Sequence, residues 1–245
     1  MNTVKSAKRV LDLLRFFAEE GEPASLARLC GALGWPKSST LALMETLVAE
    51  GYAYQASGRY YLTGRWLREA EAVARHDRIV GRCRATLVRL NRQIGETVIL
   101  AQLAQRQVVY LDVIEADHVL KFSAAAGQRK PIHAAASGRA LLSVLPEAEA
   151  RRMAEALDYV QYTAQTLTSP SALLAAVAQG RARGWHINRG EHQPDTTSIA
   201  VPVVLDGNPL ALVIGAPSSR LQDRLDETGA ALLRAATALM AEDKR

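Results

Sequence analysis

The chain has 245 residues, 49% of them hydrophobic and 22% charged, so it carries enough apolar material for a folded core and is not compositionally disordered. Its strongly apolar stretches are broken by Arg, Glu or Gln before the roughly 20 residues that a bilayer-spanning helix needs. Met1 to Arg15 lacks the apolar run and small-residue cleavage site of a secretory signal. Both features point to a soluble cytoplasmic protein with no membrane partner.

The formal net charge is +5, unevenly placed. Residues 1–93 carry 15 Lys or Arg against 9 Asp or Glu, whereas residues 94–245 carry 15 against 16. The whole basic excess lies in the first part, the distribution expected when that part meets a polyanion and the rest does something electrically neutral. Cys30 and Cys83 are too far apart in sequence to suggest a disulfide framework or a paired-thiol metal site.

In chain order, Val4, Ala7, Val10, Leu11, Leu14 and Phe17 recur at helical spacing and predict a first amphipathic helix, closed at Gly21-Glu22-Pro23. Ser25 is placed to cap a second, short helix carrying Leu26, Leu29, Cys30 and Leu33, and Gly34 to end it in the left-handed conformation. Pro36 suits the start of a third helix, whose inward stripe is Thr40, Leu43, Met44 and Leu47. Its outer face is left to Lys37, Ser38, Ser39, Leu41, Ala42 and Glu45. Two aromatic runs, Tyr52 to Gln55 and Arg59 to Thr63, flank Ala56-Ser57-Gly58 and predict a hairpin.

Three short helices followed by a hairpin make a winged helix-turn-helix. A plain three-helix bundle has the same apolar stripes. The short join from Gly34 to Lys37 and the weakly apolar outer face of the third helix favour DNA. Lys37, Ser38, Ser39 and Arg59 are the leading candidate contacts, with Ser25 and Leu41 beside them; hydroxyls, a cation and helix N-terminal N–H groups suit phosphates, and Leu41 suits a thymine methyl. One of the serines has an alternative use as a helix cap. Of Tyr60 and Tyr61, on opposite faces of one strand, one belongs to the core.

Residues 64–95 read as helix with a break around Asp77 to Gly81. Trp66, Leu67, Ala70, Val73 and Ala74 form one stripe, and seven arginines from Arg68 to Arg92 read as a solvated face. Beyond Gly95, strands are predicted at Thr97–Leu103, Val108–Ile114 and His118–Ala124, helices at Ser137–Leu145, Glu147–Leu157 and Ser171–Arg183, strands at Ser198–Leu205 and Leu210–Ala216 about the turn Asp206 to Pro209, and a last helix at Ser219–Ala241. Short turns between strands imply an antiparallel sheet and an α+β domain.

Enzyme signatures are missing: there is no His-x-x-x-His pair, nucleophile elbow, P-loop or dinucleotide fingerprint. His186, Glu191 and His192 are a weak metal candidate, and Ser137 with His133 lacks a third, orienting group for nucleophilic chemistry. No catalytic residue, cofactor or metal is expected.

Two segments go further: GQRKPIHAAASGRALL from Gly127 to Leu142, and Gly184 to Pro217, which contains GWHINRGEHQPDTTSIAVPVV and ends in ALVIGAP. With SAKRVLDLLRFF and WPKSSTLALMETLVAEGY before them, they resemble the IclR family of bacterial transcriptional regulators along nearly the whole chain. The resemblance implies a winged helix-turn-helix for operator DNA over 1–64, a linker helix used in dimerisation over 65–81, and over 82–245 a GAF-like effector-binding domain with an antiparallel sheet and covering helices. It implies double-stranded operator DNA, a small effector such as an aromatic or organic acid or its derivative, and a homodimer or homotetramer as partners.

The effector is expected between the sheet and the segments Gly127–Ser137 and Asn188–Ser198. There Tyr110 and Phe122 supply aromatic surface, Gly127 and Gln128 close backbone approach, and His133, Ser137, Asn188, Glu191, Thr197 and Ser198 polar atoms. Ser137 doubles as a candidate helix cap, and Arg129 and Lys130 as a pair that attracts an anion or merely faces solvent. The sequence departs from the family pattern twice, with Ala42 where relatives carry a recognition-helix Arg, and Asp195 to Ser198 where relatives often carry a Gly. The reading is a ligand-responsive regulator of a catabolic or metabolic operon. Its rival is a metabolite-sensing domain whose helical head binds another protein.

Overall fold

The computed structural model describes residues 3–76 and 78–243, and the chain divides into two compact units, Met1–His76 and Asp77–Arg245. In the first, α1 (Lys5–Glu20), β1 (Ala24–Ser25), α2 (Leu26–Leu33) and α3 (Lys37–Ala49) precede a hairpin of β2 (Ala53–Ala56) and β3 (Arg59–Leu62) and then α4 (Arg65–His76). Strand β3 is central, with β1 and β2 antiparallel on either side. The hairpin turns at Ser57 and Gly58, both left-handed, the backbone twist that a two-residue hairpin requires.

The core of this unit gathers Leu13, Phe16, Leu29, Met44, Leu47 and Ala53 with Tyr60, so Tyr60 is the core tyrosine, while Tyr61 stacks on exposed Tyr54. The inward stripe of α1 differs from the expected one: Leu13 and Phe16 are fully buried, Val10, Leu14 and Phe17 half-buried, and Val4, Ala7 and Leu11 exposed. The i, i+3 pair that reaches the core lies one position from the predicted stripe. On α4, Trp66 packs against Tyr52 and donates to its carbonyl, but Leu67 and Val73 are 64% and 72% exposed, so that stripe is not core.

In the second unit, α5 (Arg78–Ile94) leads into a six-stranded antiparallel sheet built from β4 (Thr97–Ala104), β5 (Gln107–Ile114), β6 (Arg129–Pro131), β7 (His186–Arg189), β8 (Thr196–Leu205) and β9 (Asn208–Pro217), ordered β6-β5-β4-β9-β8-β7. The helices α6 (Ala136–Ser143), α7 (Glu147–Glu155) and α8 (Pro170–Arg183) come between β6 and β7, and α9 (Ser218–Leu221) and α10 (Leu225–Asp243) close the chain. Alternation sorts the sheet residues. Val98, Leu100, Ile199, Val201, Leu212 and Ile214 pack with α5 and α10, whereas Ile99, Ala101, Val108, Tyr110, Ala200 and Val213 pack with α6 and α8. Asp77, where the helix break was expected to begin, lies outside the described residues.

The strand expected at His118–Ala124 is absent. That segment is coil, held by side chains instead of a backbone ladder: Thr97 Oγ1 donates to Phe122 O at 2.6 Å and accepts from Ala116 N at 3.1 Å, while Glu115 accepts from Ser123 Oγ at 2.8 Å and Ala124 N at 3.1 Å. The edge positions are taken instead by β6 and β7. Helix α6 begins at Ala136 with Ala135 as its N-cap, so Ser137 lies inside the helix and does not cap it. Among the described residues, no helix is long and apolar enough to cross a membrane.

Candidate functional site

In the first unit, Gly34 ends α2 in the left-handed conformation, and Pro36 caps α3 in an extended one, so α3 opens at Lys37 with no side chain covering its N-terminal amides. Lys37 and Ser38 are exposed and Ser39 is half-buried. Ser39 Oγ and Thr40 Oγ1 both donate to Pro36 O at 3.0 Å, which anchors the first turn and leaves each oxygen able to accept. Ser25 is the cap of α2, its Oγ accepting from Arg28 N at 3.3 Å, so its oxygen is already engaged. Leu41 is half-buried, and Arg59 is exposed at the start of β3 beside the turn.

Charge pairing sharpens this face. Arg28 is neutralised by Glu20 and Glu22, and Lys8 and Arg15 share Asp12. Lys37 and Arg59 have no ion pair among the described residues. Two cations escaped the sequence reading: Lys5 and Arg9 of α1 border a cleft of about 420 Å³ whose other wall is Ser39, Ala42, Leu43 and Thr46 of α3. The Arg9 guanidinium lies 5.3 Å over the Trp35 ring. The signal was the spacing of Lys5 and Arg9, one helical turn apart. A positive charge thus stands beside Ala42, where the recognition helix has none of its own.

In the second unit, a small cavity of about 20 Å³ lies on the sheet face that packs with α6. Of the candidate effector residues, Tyr110, Phe122, Ser137, Asn188 and Ser198 line it, joined by Lys130, His192, Thr196 and Val213. Thr197 does not line it: strand alternation turns its neighbours Thr196 and Ser198 inward and sends Thr197 Oγ1 to Ser218 Oγ at 2.8 Å. Gly127 and Gln128 lie outside as well. Gly127 N donates to Tyr110 O at 2.7 Å in a left-handed turn, and Gln128 Oε1 accepts from Ala125 N at 3.4 Å.

Glu191 is buried in an ion pair with Arg139, whose guanidinium also donates to the carbonyls of Ile187 and His133. Burial pulls the Arg139 pKa down to about 10, which leaves it charged at neutral pH. Glu191 therefore fastens the segment after β7 to α6 and does not face the cavity. His133 lines a different, open cavity of about 550 Å³ with Arg106, Asp158, Val160 and Tyr162; its Nε2 lies 3.0 Å from Val160 O and its ring packs on Tyr159. The rings of Tyr162 and His192, 4.7 Å apart, stand between the two cavities. His186 is buried against Gly180, and burial, then Arg139, lowers its pKa to about 4, so it is a neutral structural group. No cluster of metal-ligating side chains occurs among the described residues.

Of the pair read as attracting an anion or facing solvent, Arg129 is exposed but Lys130 is only 7% exposed. It pairs with Val108 across the sheet, and directly opposed residues project to the same face, so Lys130 turns toward Tyr110 while Arg129 turns out.

A winged helix with an uncovered recognition-helix N-terminus, followed by an α+β domain with a ringed internal cavity, is the build of a regulator that joins a DNA-reading head to a small-molecule sensor. Comparison with known proteins agrees. Residues 6–57 match the IclR helix-turn-helix domain and residues 71–241 the bacterial transcriptional regulator IclR C-terminal domain. The HTH-type transcriptional regulator XynR of Escherichia coli is 31% identical over 96% of this chain and 93% of its own. The fold matches the crystal structure of Thermotoga maritima IclR with TM-score 0.83 at 19% identity, covering 98% of this chain and 99% of that one. It also matches an IclR homologue from Microbacterium hydrocarbonoxydans complexed with 4-hydroxybenzoate, with TM-score 0.74 at 23% identity and coverage of 98% and 99%. The chain belongs to the IclR family of bacterial transcriptional regulators and is a ligand-responsive DNA-binding regulator, not an enzyme.

Proposed function

We propose that this regulator acts in the cytoplasm as a homodimer or homotetramer on a pseudo-palindromic operator of a metabolic operon, under the control of a small organic acid or its derivative. The observation that carries the DNA reading is the start of α3, where uncapped amides, exposed Ser38 and Lys37, which has no ion pair among the described residues, stand together, with Arg59 in the wing and Lys5 and Arg9 alongside. Helix N-terminal amides and cations of this kind hold phosphates. With Ala42 on α3, base readout falls to Lys37, Ser38, Ser39 and Leu41.

The ringed cavity of the second unit is the proposed effector site, and the aromatic acid bound by the Microbacterium neighbour supports an acid as its ligand. An effector changes operator affinity only through its unequal affinity for the DNA-competent and incompetent arrangements. The exposed Leu67 and Val73 of α4 support self-association through that helix. A gel-shift titration with the promoter upstream of the protein's own gene tests the reading. Retardation that weakens steeply with salt is expected, and no retardation at low salt overturns it.

A further inference from the structure

We propose that Lys130 is the fixed countercharge of the effector site, and that the effector is a monocarboxylate whose anionic end it holds inside the cavity lined by Tyr110, Ser137, His192 and Ser198. This rests on the reading of that cavity as the effector site and names the chemistry it selects.

Lys130 lines the cavity with only 7% of its surface exposed, and its side chain has no hydrogen bond and no ion pair among the described residues, so its ammonium is met only by what little solvent reaches it. The carboxylates around this region are committed elsewhere: Glu191 to Arg139, Glu115 to Lys121, and Asp112 to Arg84 at 2.7 Å. Asn188 is also engaged, its Nδ2 donating to Ala134 O at 2.5 Å and its Oδ1 accepting from Glu191 N at 3.1 Å. Among the described residues no carboxylate neutralises the ammonium, so the charge is left for a ligand.

The rest of the lining fixes the ligand's class. His192 is the other ionisable nitrogen at the cavity. Its pKa is lowered by burial first and then by the nearby charges of Lys130 and His133, so the ring stays neutral and adds no second cation. Burial raises the Tyr110 pKa, which keeps the phenol protonated and able to donate. The Ser137 and Ser198 hydroxyls have no other hydrogen bond among the described residues and serve the same purpose. One cation with neutral donors matches one carboxylate; a dianion would bring a second charge with no partner. Phe122, Val213 and the Ala134–Ala136 run supply apolar wall for the ligand's body. A neutral isostere would leave the ammonium buried and unpaired, the condition under which polar sites discriminate most strongly.

The test is calorimetric titration and thermal shift of the full chain with 4-hydroxybenzoate and a panel of aliphatic and aromatic monocarboxylates, each beside its amide. At least one acid is expected to bind roughly 100-fold or more tightly than its amide. Lys130→Met, similar in shape but uncharged, is expected to lose that preference. It should also raise the melting temperature of the empty protein, because a partly desolvated ammonium without an ion pair is removed. Acids and amides that bind alike, an acid preference that survives Lys130→Met, or a lower melting temperature of the empty variant each overturn the role of Lys130. Ser198→Trp separates this from the underlying reading. Equal binding of acid and amide that this variant abolishes keeps the cavity as the effector site without its countercharge. Binding that persists in Ser198→Trp, or a panel that never shifts the wild type, overturns both.

Discussion

Lys37 and Ala42 are both exposed on α3 and are expected to bear on DNA in opposite ways. Lys37 is a cation with no ion pair among the described residues, placed at the positive end of the helix, so its expected partner is a phosphate. Lys37→Ala should weaken binding to every sequence by a similar factor and flatten the plot of log affinity against log salt by about one unit, measurable by fluorescence anisotropy. An unchanged slope would remove the phosphate contact. Packing is equally specific at the residue scale in the second unit. A Cβ on Gly138 would stand 2.2 Å from Ile132 O, a backbone atom that cannot step aside. Gly138→Ala should cost about 1–3 kcal/mol in urea unfolding, and a stability equal to wild type would show that the turn before α6 yields. Lys37 and Ser38 were legible in the sequence because helical periodicity alone sets the outer face of α3. Glu191 and His133 were not, because their partners Arg139 and Val160 are distant in sequence and only the fold brings them together.

Among the elements, four of the six strands of the second unit were readable, and the short edge strands β6 and β7 were not. Strands β4, β5, β8 and β9 follow from apolar alternation and from the turn at Asp206-Gly207, and their two faces sort by parity. The segment after β5 was misread because Val119 and Leu120 look strand-like, yet both are exposed and no neighbouring strand receives them. What organises it is Glu115, whose carboxylate takes Lys121, Ser123 and the Ala124 amide, interactions that alternation does not reveal. These partners, Lys121 foremost, lower the Glu115 pKa to about 2. A depressed carboxylate pKa means that its support is complete above the ordinary value near 4.5 and is lost as pH falls toward about 2. Amide exchange at Ala124 should therefore be protected at pH 6 and lose that protection on acidification through this window. Glu115→Gln should show the faster exchange already at pH 6, and equal exchange in the two proteins would refute the arrangement.

For the whole molecule, the division of charge along the chain does not follow its division into units: residues 1–76 carry 10 Lys or Arg against 8 Asp or Glu and residues 77–245 carry 20 against 17, because Arg78, Arg82, Arg84, Arg89 and Arg92 of the basic first part belong to α5. The sequence could not reveal how α4 uses its apolar residues, because a stripe at helical spacing reads the same whether it meets its own core or a second copy. In the structure, Leu67 and Val73 meet no core. Joining two heads makes the second half-site contact intramolecular and multiplies operator affinity without new contacts. The double variant Leu67→Glu, Val73→Glu should shift sedimentation toward a smaller species and weaken binding to a full operator more than to a single half-site. An unchanged sedimentation coefficient would place self-association elsewhere.

The cavity of about 20 Å³ has room for little more than a single water. As the proposed effector site, a chamber with so little free space would have to be pried apart by whatever it recognises, so its threshold would be set by the stiffness of its walls as much as by the fit of the guest. Shortening Phe122 or Val213 would then lower the dose at which bulkier compounds act without altering any contact with the operator, and selection can retune the signal by softening the chamber while leaving the reading head untouched.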